Sequence, residues 1–242
     1  MPIVFNGKAV NGVQFNADYL ESAVNCNKVI FNGEVVFDNS GELTLASIPL
    51  GSKIQILENG TPYWWMLHDK NYNGYGVPVL VRNQLSFSCV YHFSIPSNAS
   101  SNKYSNSALK SYANDQLDKL ETGLSDKILT VNVPCRTSAQ VSSEYFVEQK
   151  MFVPSAVELG LRTITDDPYE GRPFEYIGDT ALGSNYYTRT PTGGMNNSVR
   201  AVKSDGTLTS VSTRTPAFLR PAFCLPGDTR VEKIDGGYSF IL

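Results

Sequence analysis

The segment Ser184–Leu225 is the part of the sequence that most constrains the fold. Two short aromatic stretches within it each carry an arginine, Arg189 or Arg220, and each ends at a proline. Between them, runs rich in Val and Thr flank the polar step Asp205-Gly206. Asp-Gly favours the positive φ of a tight turn, and Val and Thr suit a pleated surface, so the stretch predicts a β-hairpin. An arginine among aromatic rings can stack and bond backbone carbonyls, which predicts that Arg189 and Arg220 anchor this hairpin to the core.

Alternation of apolar and polar residues upstream predicts further antiparallel strands. Alternating runs on both sides of Asn59-Gly60 predict a second hairpin, because Asn-Gly is a strong signal for a tight turn. A third strand is predicted over Val77–Val81, where Pro78 suits an edge strand or the start of a strand. Residues 161–185 follow neither the strand nor the helix period, which is typical of a functional loop, and their aromatic residues favour an ordered one.

Two helices are predicted from apolar spacing and end signals. Apolar residues recur at helical spacing after Asn106, which is the predicted N-cap, and Gly123 is the predicted end of that helix. Ser155 and Glu158 have the spacing of a capping box, which predicts a second, short helix ending at Gly160.

The first forty residues contain an internal repeat. Residues 3–10 and 29–36 both place an Asn-Gly pair between apolar residues, and each copy predicts a hairpin with a type I′ turn. Isolated hairpins are marginally stable in water, so the unit is expected to join a neighbouring subunit by strand addition or to rest on the main domain as a plain β-appendage. We therefore predict a docking or oligomerisation unit at residues 1–40, a linker over Asp38–Gly41 and a main domain at residues 41–242.

The closing block of the chain resembles that of DUF6273-type domains of bacterial and phage proteins. Those domains have an aromatic-Leu-Arg-Ser-Pro segment, a hairpin with an Asp-Gly turn and a final Arg-Pro-Ala segment, and Tyr187–Pro191 stands in the first place here. The similarity covers roughly residues 43–226 through the segments Ile48–Ser52, Trp64–Leu67, Tyr104–Leu109 and Phe152–Glu158. It implies an α+β, β-rich, C-type-lectin-like domain, a scaffold used for display and binding, here preceded by a small N-terminal β-hairpin unit. The Asn-Gly hairpins are similar to those at the start of phage tail and baseplate proteins.

Charge and composition argue against two classes of partner. The net charge of −3 offers no attraction for a phosphate backbone, so no nucleic acid is expected to bind. No apolar run approaches the ~20 residues that span a bilayer, and the first residues lack the regions of an export signal. We therefore expect synthesis in the cytoplasm and no membrane insertion. The four cysteines lack zinc-site spacing and are expected to be reduced and buried, with two disulfides as the alternative.

No residue pattern indicates an active site or a cofactor. His68 and His92 lack metal-binding spacing and are interpreted as packing residues. Loop oxygens around Asp166 leave a calcium site open, although the motifs of calcium-dependent lectins are missing. Formylglycine-generating enzymes of related fold need a cysteine pair, and Cys224 is the only cysteine after Cys135. We expect neither an enzyme nor a bound cofactor or metal.

Recognition by an aromatic and amide-rich surface is the function that remains. Aromatic rings supply contact area at low entropic cost, and Asn adapts its hydrogen bonds. The candidate ligand-binding residues lie in predicted loops or at strand ends: Tyr72, Tyr75, Tyr169, Tyr186, Asn196 and Asn197.

These features together lead to a hypothesis of a virion protein. We expect a phage or phage-derived tail or tail-tip protein that binds a host cell-surface glycan or protein. It is expected to contact other tail proteins and to form a homo-oligomer, taken to be a trimer. The alternatives are a structural decoration or baseplate protein without a ligand, and an oxidoreductase of the formylglycine-generating type.

The two-part organisation predicts the effect of replacing Gly7 and Gly33 together with Val. Both glycines should occupy positive-φ turn positions, where a β-branched residue is strongly disfavoured. We expect self-association or docking, followed by sedimentation, to be lost while the main domain keeps a cooperative thermal transition. Global unfolding without a separable loss of assembly would show that the first forty residues belong to the core.

Overall fold

The computed structural model describes residues 42–93, 102–136, 144–193 and 197–242, together with the backbone of four short strands in residues 1–41. The chain divides into two compact units, Met1–Leu43 and Thr44–Leu242. No helix among the described residues has the length and apolar character needed to cross a membrane.

The first unit contains two antiparallel hairpins. Strand β1 (Ile3–Phe5) pairs with β2 (Lys8–Val10), and β3 (Lys28–Phe31) pairs with β4 (Glu34–Asp38). Both repeats therefore form the predicted hairpins, with an Asn-Gly pair between the strands of each. The turn angles and the rest of the predicted linker, residues 39–41, lie outside the described residues.

The second unit is built mainly of strands. Its strands are β5 (Leu43–Thr44), β6 (Lys53–Glu58), β7 (Thr61–Asp69), β8 (Val79–Arg82), β9 (Ser88–Cys89), β10 (Val131–Arg136), β11 (Glu144–Gln149), β12 (Met151–Phe152), β13 (Tyr186–Pro191), β14 (Ser198–Val202), β15 (Leu208–Ser212), β16 (Ala217–Phe218), β17 (Ala222–Cys224), β18 (Arg230–Ile234) and β19 (Gly237–Phe240). Its described helices are α1 (Ala108–Asn114) and α2 (Leu124–Lys127), with single 3₁₀ turns at Tyr72–Gly74, Tyr104–Asn106 and Leu117–Lys119. The predicted β-rich class with few helices is confirmed.

Two larger sheets and one separate hairpin organise these strands. The larger sheet has the order β12-β17-β8-β7-β6-β19-β18-β5, and the smaller has the order β15-β14-β13-β16-β9. Among the described strands, β10 and β11 pair only with each other. Successive residues of β8 belong to different apolar clusters, with Val79 and Val81 in one and Leu80 in the other. The larger sheet therefore has a core on both faces at this strand, because neighbouring side chains of a strand point to opposite sides.

Both hairpins predicted within the second unit are present. Strands β6 and β7 are joined through Asn59 and Gly60, whose φ values of 49° and 78° are those that an Asn-Gly turn favours. Strands β14 and β15 are joined through a turn in which Gly206 has a φ of 84°. Strand β8 begins directly after Pro78 and lies between β7 and β17. The proline therefore marks a strand start, and the edge-strand interpretation was wrong.

The predicted helix after Asn106 is shorter than its apolar spacing indicates. Ser107 is the N-cap in place of Asn106, since the Ser107 hydroxyl accepts a hydrogen bond from the Lys110 amide at 3.1 Å. Helix α1 ends at Asn114, and Gly123, with a φ of 92°, precedes α2. The intervening backbone bonds to the end of the β6–β7 hairpin, where the Asn59 amide donates to the Lys119 carbonyl at 2.7 Å. This tertiary contact takes the chain out of the helical path.

The predicted capping box forms without the helix it was expected to begin. The Glu158 amide donates to the Ser155 hydroxyl, and the Ser155 amide donates to the Glu158 carboxylate, each at 3.0 Å. Gly160, with a φ of 67°, ends the turn at once, and the Leu161 amide bonds back to the Ala156 carbonyl. The second predicted helix is thus a single turn that fixes the backbone of Glu158.

Close approach of two strands predicts that Gly237→Ala destabilises the protein. A Cβ at Gly237 would overlap the Lys53 carbonyl oxygen and lie 2.9 Å from the Trp64 ring, where β19 runs parallel to β6. We expect a loss of about 1–3 kcal/mol in the free energy of unfolding by urea, as for other overpacked sites. The control is Gly193→Ala, because its Cβ would meet no atom within 4 Å. Equal stability of the two variants would contradict the prediction.

Candidate functional site

A buried ion pair lies at the centre of the site. Arg189 of β13 donates from Nη1 to Glu158 Oε2 at 2.5 Å and from Nη2 to Glu158 Oε1 at 2.7 Å. Neither charged group is exposed to solvent. Tyr72, in the loop between β7 and β8, donates its hydroxyl to the same carboxylate at 3.0 Å. A bidentate, charge-assisted arrangement of this kind is among the strongest hydrogen-bond geometries in proteins.

The remaining donors of Arg189 all reach backbone carbonyls. Its Nε donates to Pro134 O at 3.0 Å, its Nη1 to Val153 O at 2.9 Å and its Nη2 to Glu170 O at 3.2 Å. A buried charge is tolerated when it is paired and its other hydrogen-bonding groups are satisfied, and Arg189 meets both conditions. The prediction that Arg189 has a structural role is confirmed, and the residue links β10, the capping-box turn, the long loop and β13.

A second carboxylate, Glu170, is buried beside this pair. Its side-chain oxygens accept hydrogen bonds from the Arg136 amide and the Thr190 hydroxyl, each at 3.0 Å. Burial raises the pKa of Glu170 to about 7, and the negative charge of Glu158 adds to the rise, although Arg189 and the two hydrogen bonds oppose it. We call these interior residues the buried polar cluster: Tyr72, Ser155, Glu158, Glu170, Arg189 and Thr190.

An open groove lies next to the buried polar cluster. It has a volume of about 310 Å³. We call it the aromatic groove, and its lining residues are Asn73, Tyr75, Pro134, Phe146, Tyr169, Gly171 and Arg172. Three of its side chains are unusually exposed for aromatic residues: Tyr75 at 48%, Tyr169 at 40% and Phe146 at 52%. The groove thus presents aromatic surface to solvent.

Backbone strain and close packing determine how Tyr169 is presented. Tyr169 has a φ of 70°, a value that is rare for a bulky residue and that must be maintained by its surroundings. The next residue, Glu170, is bonded inside the cluster, and a Cβ on Gly171 would lie only 2.8 Å from Glu158 Oε1. The contacts of Glu170 and Gly171 with the buried polar cluster therefore fix the backbone of this loop, and the fixed backbone holds Tyr169 at the solvent-facing groove.

Hydrogen bonds also join the two loops that line the groove. The Arg172 amide donates to Asn73 Oδ1 at 3.3 Å, and the Arg172 guanidinium donates from Nη2 to the Asn71 carbonyl. Asn73 itself has a φ of 46°, in the left-handed region that asparagine tolerates. The groove is therefore formed by two tethered segments that are far apart in sequence.

The structure separates the residues that were predicted to bind a ligand. Tyr75 and Tyr169 both line the aromatic groove. Tyr72 is only 1% exposed because its ring stacks on Phe152 and its hydroxyl binds Glu158. Tyr186 is fully buried, and its hydroxyl donates to Thr180 O while accepting from Arg220. These two tyrosines hold the core together and lie outside any exposed face.

The two predicted asparagines are not among the described lining residues of the groove, whereas two residues that were not predicted are. Asn197 is exposed but is not part of the groove lining, and Asn196 lies outside the described residues. Phe146 and Arg172 line the groove and were not predicted. Phe146 sits at an outward position of β11, between the more buried Tyr145 and Val147, and this alternation was a usable signal. Arg172 carried no such signal, since its place depends on the fold of the long loop.

His68 and the cysteines of the described regions are packing residues. His68 lies edge-on to Phe174 and Tyr176, and burial lowers its pKa to about 3, so that it is neutral. Cys89, Cys135 and Cys224 are buried free thiols, whereas Cys26 lies outside the described residues. Burial raises the pKa of Cys89 and of Cys135 to about 12, which keeps the reactive thiolate form scarce. Within the described ranges, no group of three or more His, Cys, Asp or Glu side chains is arranged to hold a metal ion.

The raised pKa of Glu170 predicts a pH-dependent stability. Between pH 4.5 and about 7 the folded chain holds a proton at Glu170 that the unfolded chain releases, so the free energy of unfolding falls as pH rises. Relative to Glu170→Gln, the wild type should lose about 3 kcal/mol across this window in urea titrations. Glu175→Gln, at an exposed position, controls for the loss of a carboxylate. A wild-type curve parallel to that of Glu170→Gln at all pH values would contradict the prediction.

Comparison with known proteins supports a family assignment. A family model described as "Domain of unknown function (DUF6273)" matches residues 65–227. No curated protein and no solved structure matches the chain. The matched range includes every residue of the buried polar cluster and of the aromatic groove. Because the match covers more than half of its length, the chain belongs to the DUF6273 family.

Proposed function

We propose that the second unit is a ligand-binding domain whose aromatic groove contacts a carbohydrate on a host cell surface. The observation that carries this proposal is the exposure of Tyr75, Phe146 and Tyr169 around one groove, with Tyr169 in a strained conformation. Strained residues persist only where the surrounding structure maintains them, and they concentrate at functional sites.

The size of the groove favours a small ligand over a protein surface. Its volume of about 310 Å³ lies at the low end of the range of roughly 300–1,000 Å³ for small-molecule sites. A standard protein–protein interface buries about 800 Å² on each partner, which is far more than seven lining residues provide. One or two sugar rings match this size.

The chemistry of the groove also suits a sugar. A pyranose ring has an apolar C–H face, which can pack on an aromatic ring, and hydroxyl groups at its edge, which need hydrogen-bond partners. Tyr75, Phe146 and Tyr169 supply the rings, whereas Asn73 and Arg172 supply polar groups. Apolar surface combined with a few placed polar groups is the usual composition of a ligand site.

The scaffold that we propose is C-type-lectin-like, on the basis of the resemblance described above. Folds of that type place a long loop beside the binding face, and the loop over residues 161–185 contributes Tyr169, Gly171 and Arg172 to the groove. We assign a binding role rather than a catalytic one. A formylglycine-generating activity would need a reactive thiol pair, whereas burial keeps Cys135 and Cys224 protonated by raising the pKa of each.

We further propose that the chain belongs to the tail or tail tip of a phage or a phage-derived particle. The two N-terminal hairpins support this part of the proposal, because each is a sheet of two described strands, and the edges of such small sheets can pair with neighbouring chains. In this arrangement residues 1–40 dock or oligomerise, with a homotrimer as the expected assembly, and the second unit faces the host.

The proposed function predicts that Tyr75→Ala combined with Phe146→Ala weakens glycan binding. The probe is a printed panel of neutral and acidic oligosaccharides from microbial cell surfaces, incubated with the labelled full-length protein. Loss of two stacking rings should reduce affinity by about tenfold or more. The matched control is Phe93→Ala, because Phe93 is 72% exposed and lies outside the groove.

Two results would point to a purely structural virion role instead. One is the absence of binding to every member of the panel by the wild-type protein. The other is unchanged adsorption to host cells by particles that carry the double variant, combined with loss of particle incorporation when residues 1–37 are deleted.

A further inference from the structure

Among its described lining residues, the aromatic groove contains a single cation, and that cation lacks a carboxylate partner. Of the seven lining residues only Arg172 is charged. Arg82, Arg136, Arg162 and Arg189 each pair with a carboxylate, whereas Arg172 forms no ion pair with any described residue. Its guanidinium is tethered through Nη2 to the Asn71 carbonyl, and its other N–H groups have no protein acceptor within the described ranges. The groove therefore holds an oriented guanidinium that can accept a partner from solution.

A second group in the groove also lacks a partner. The Nδ2 donor of Asn73 is buried and has no hydrogen bond to the described residues, while Oδ1 of the same amide accepts from the Arg172 amide. An unpaired buried donor is costly, so it favours an acceptor brought in by a ligand. Arg172 and Asn73 both line the groove and are joined by this hydrogen bond, and each has N–H groups without an acceptor among the described residues.

We propose that the ligand of the aromatic groove is an acidic sugar, whose carboxylate binds the Arg172 guanidinium while its ring packs on the exposed aromatic side chains. This inference rests on the proposed function and names the ligand class for the same groove. The planar guanidinium fork matches a carboxylate, which it can bind through two parallel hydrogen bonds.

The charge of the groove discriminates between classes of anion. Polyphosphates and nucleic acids are held by several cations, whereas the described lining of this groove has one, in a chain of net charge −3. A small inorganic anion would satisfy Arg172 but would leave the three aromatic rings uncovered. A pyranose ring that carries one carboxylate satisfies Arg172 and also covers the aromatic rings. Its negative charge pairs with the guanidinium, and its C–H face packs on the aromatic surface.

The test compares oligosaccharide pairs that differ only in one residue, glucuronic acid in one member and glucose in the other. Binding to the full-length protein is measured by calorimetry at low and high salt. We expect the acidic member to bind about tenfold to hundredfold more tightly, since a hydrogen bond to a charged group contributes about 1.5–3 kcal/mol. The difference should shrink at high salt because the pair is partly exposed.

Three variants make the outcome specific to Arg172. Arg172→Gln should lower the affinity for the acidic member to that of the neutral one, and Arg172→Lys should recover only part of the preference because it lacks the fork. Arg214→Gln, at an exposed arginine outside the groove, should change neither affinity. Thermal transitions of all three variants verify that they remain folded.

The failures of the two proposals are distinguishable. Equal binding of the acidic and neutral members, with no effect of Arg172→Gln, overturns the acidic-sugar inference and leaves the glycan-binding function standing. Binding to no member of any pair, by a protein that also fails to bind the wider panel, overturns both.

Discussion

The bidentate ion pair between Glu158 and Arg189 is the interaction on which the rest of the second unit depends. Removal of two charges from water is costly, and here the cost is offset because Arg189 bonds three backbone carbonyls in addition to Glu158. Loss of one partner from such a pair typically costs about 3–5 kcal/mol, a large share of the roughly 5–15 kcal/mol that stabilises a domain. The bonds formed by this pair therefore constrain several segments that share no sheet.

The long loop over residues 161–185 is one of the segments that these buried bonds constrain. It has no strand or helix of its own, and its order comes from specific bonds to the interior. Glu170 faces inward to Thr190 and Arg136, while the adjacent Tyr169 is held at a positive φ on the outer side. Rigid presentation of exposed groups reduces the entropy lost on binding, so a buried ionic anchor beneath an open groove suits recognition.

Local signals in the sequence predicted the parts of the fold that depend on neighbouring residues. Asn59-Gly60 and Asp205-Gly206 encode their hairpins because few other residue pairs adopt the required turn angles. The capping box of Ser155 and Glu158 also formed as predicted, because its two reciprocal hydrogen bonds join residues only three positions apart. Helix α1 departed from its prediction where the contact between Asn59 and Lys119, sixty positions apart, outweighed helical spacing. Apolar periodicity alone carries no information about such competition.

By itself, the sequence determined the β-rich class and the hairpins, because each follows from backbone preferences that act over a few residues. It also indicated the family through its motifs, and the anchoring role of Arg189 through the chemistry of the guanidinium, although the partners of Arg189 lie 19 to 55 positions away. Only the tertiary structure decided which tyrosines face solvent. Tyr72 and Tyr75 lie in one loop of similar composition, yet Tyr72 reaches a carboxylate 86 residues away and is buried, whereas Tyr75 remains exposed. Whether a tyrosine is buried depends on partners brought together by long-range packing, and a single sequence does not encode those distances locally.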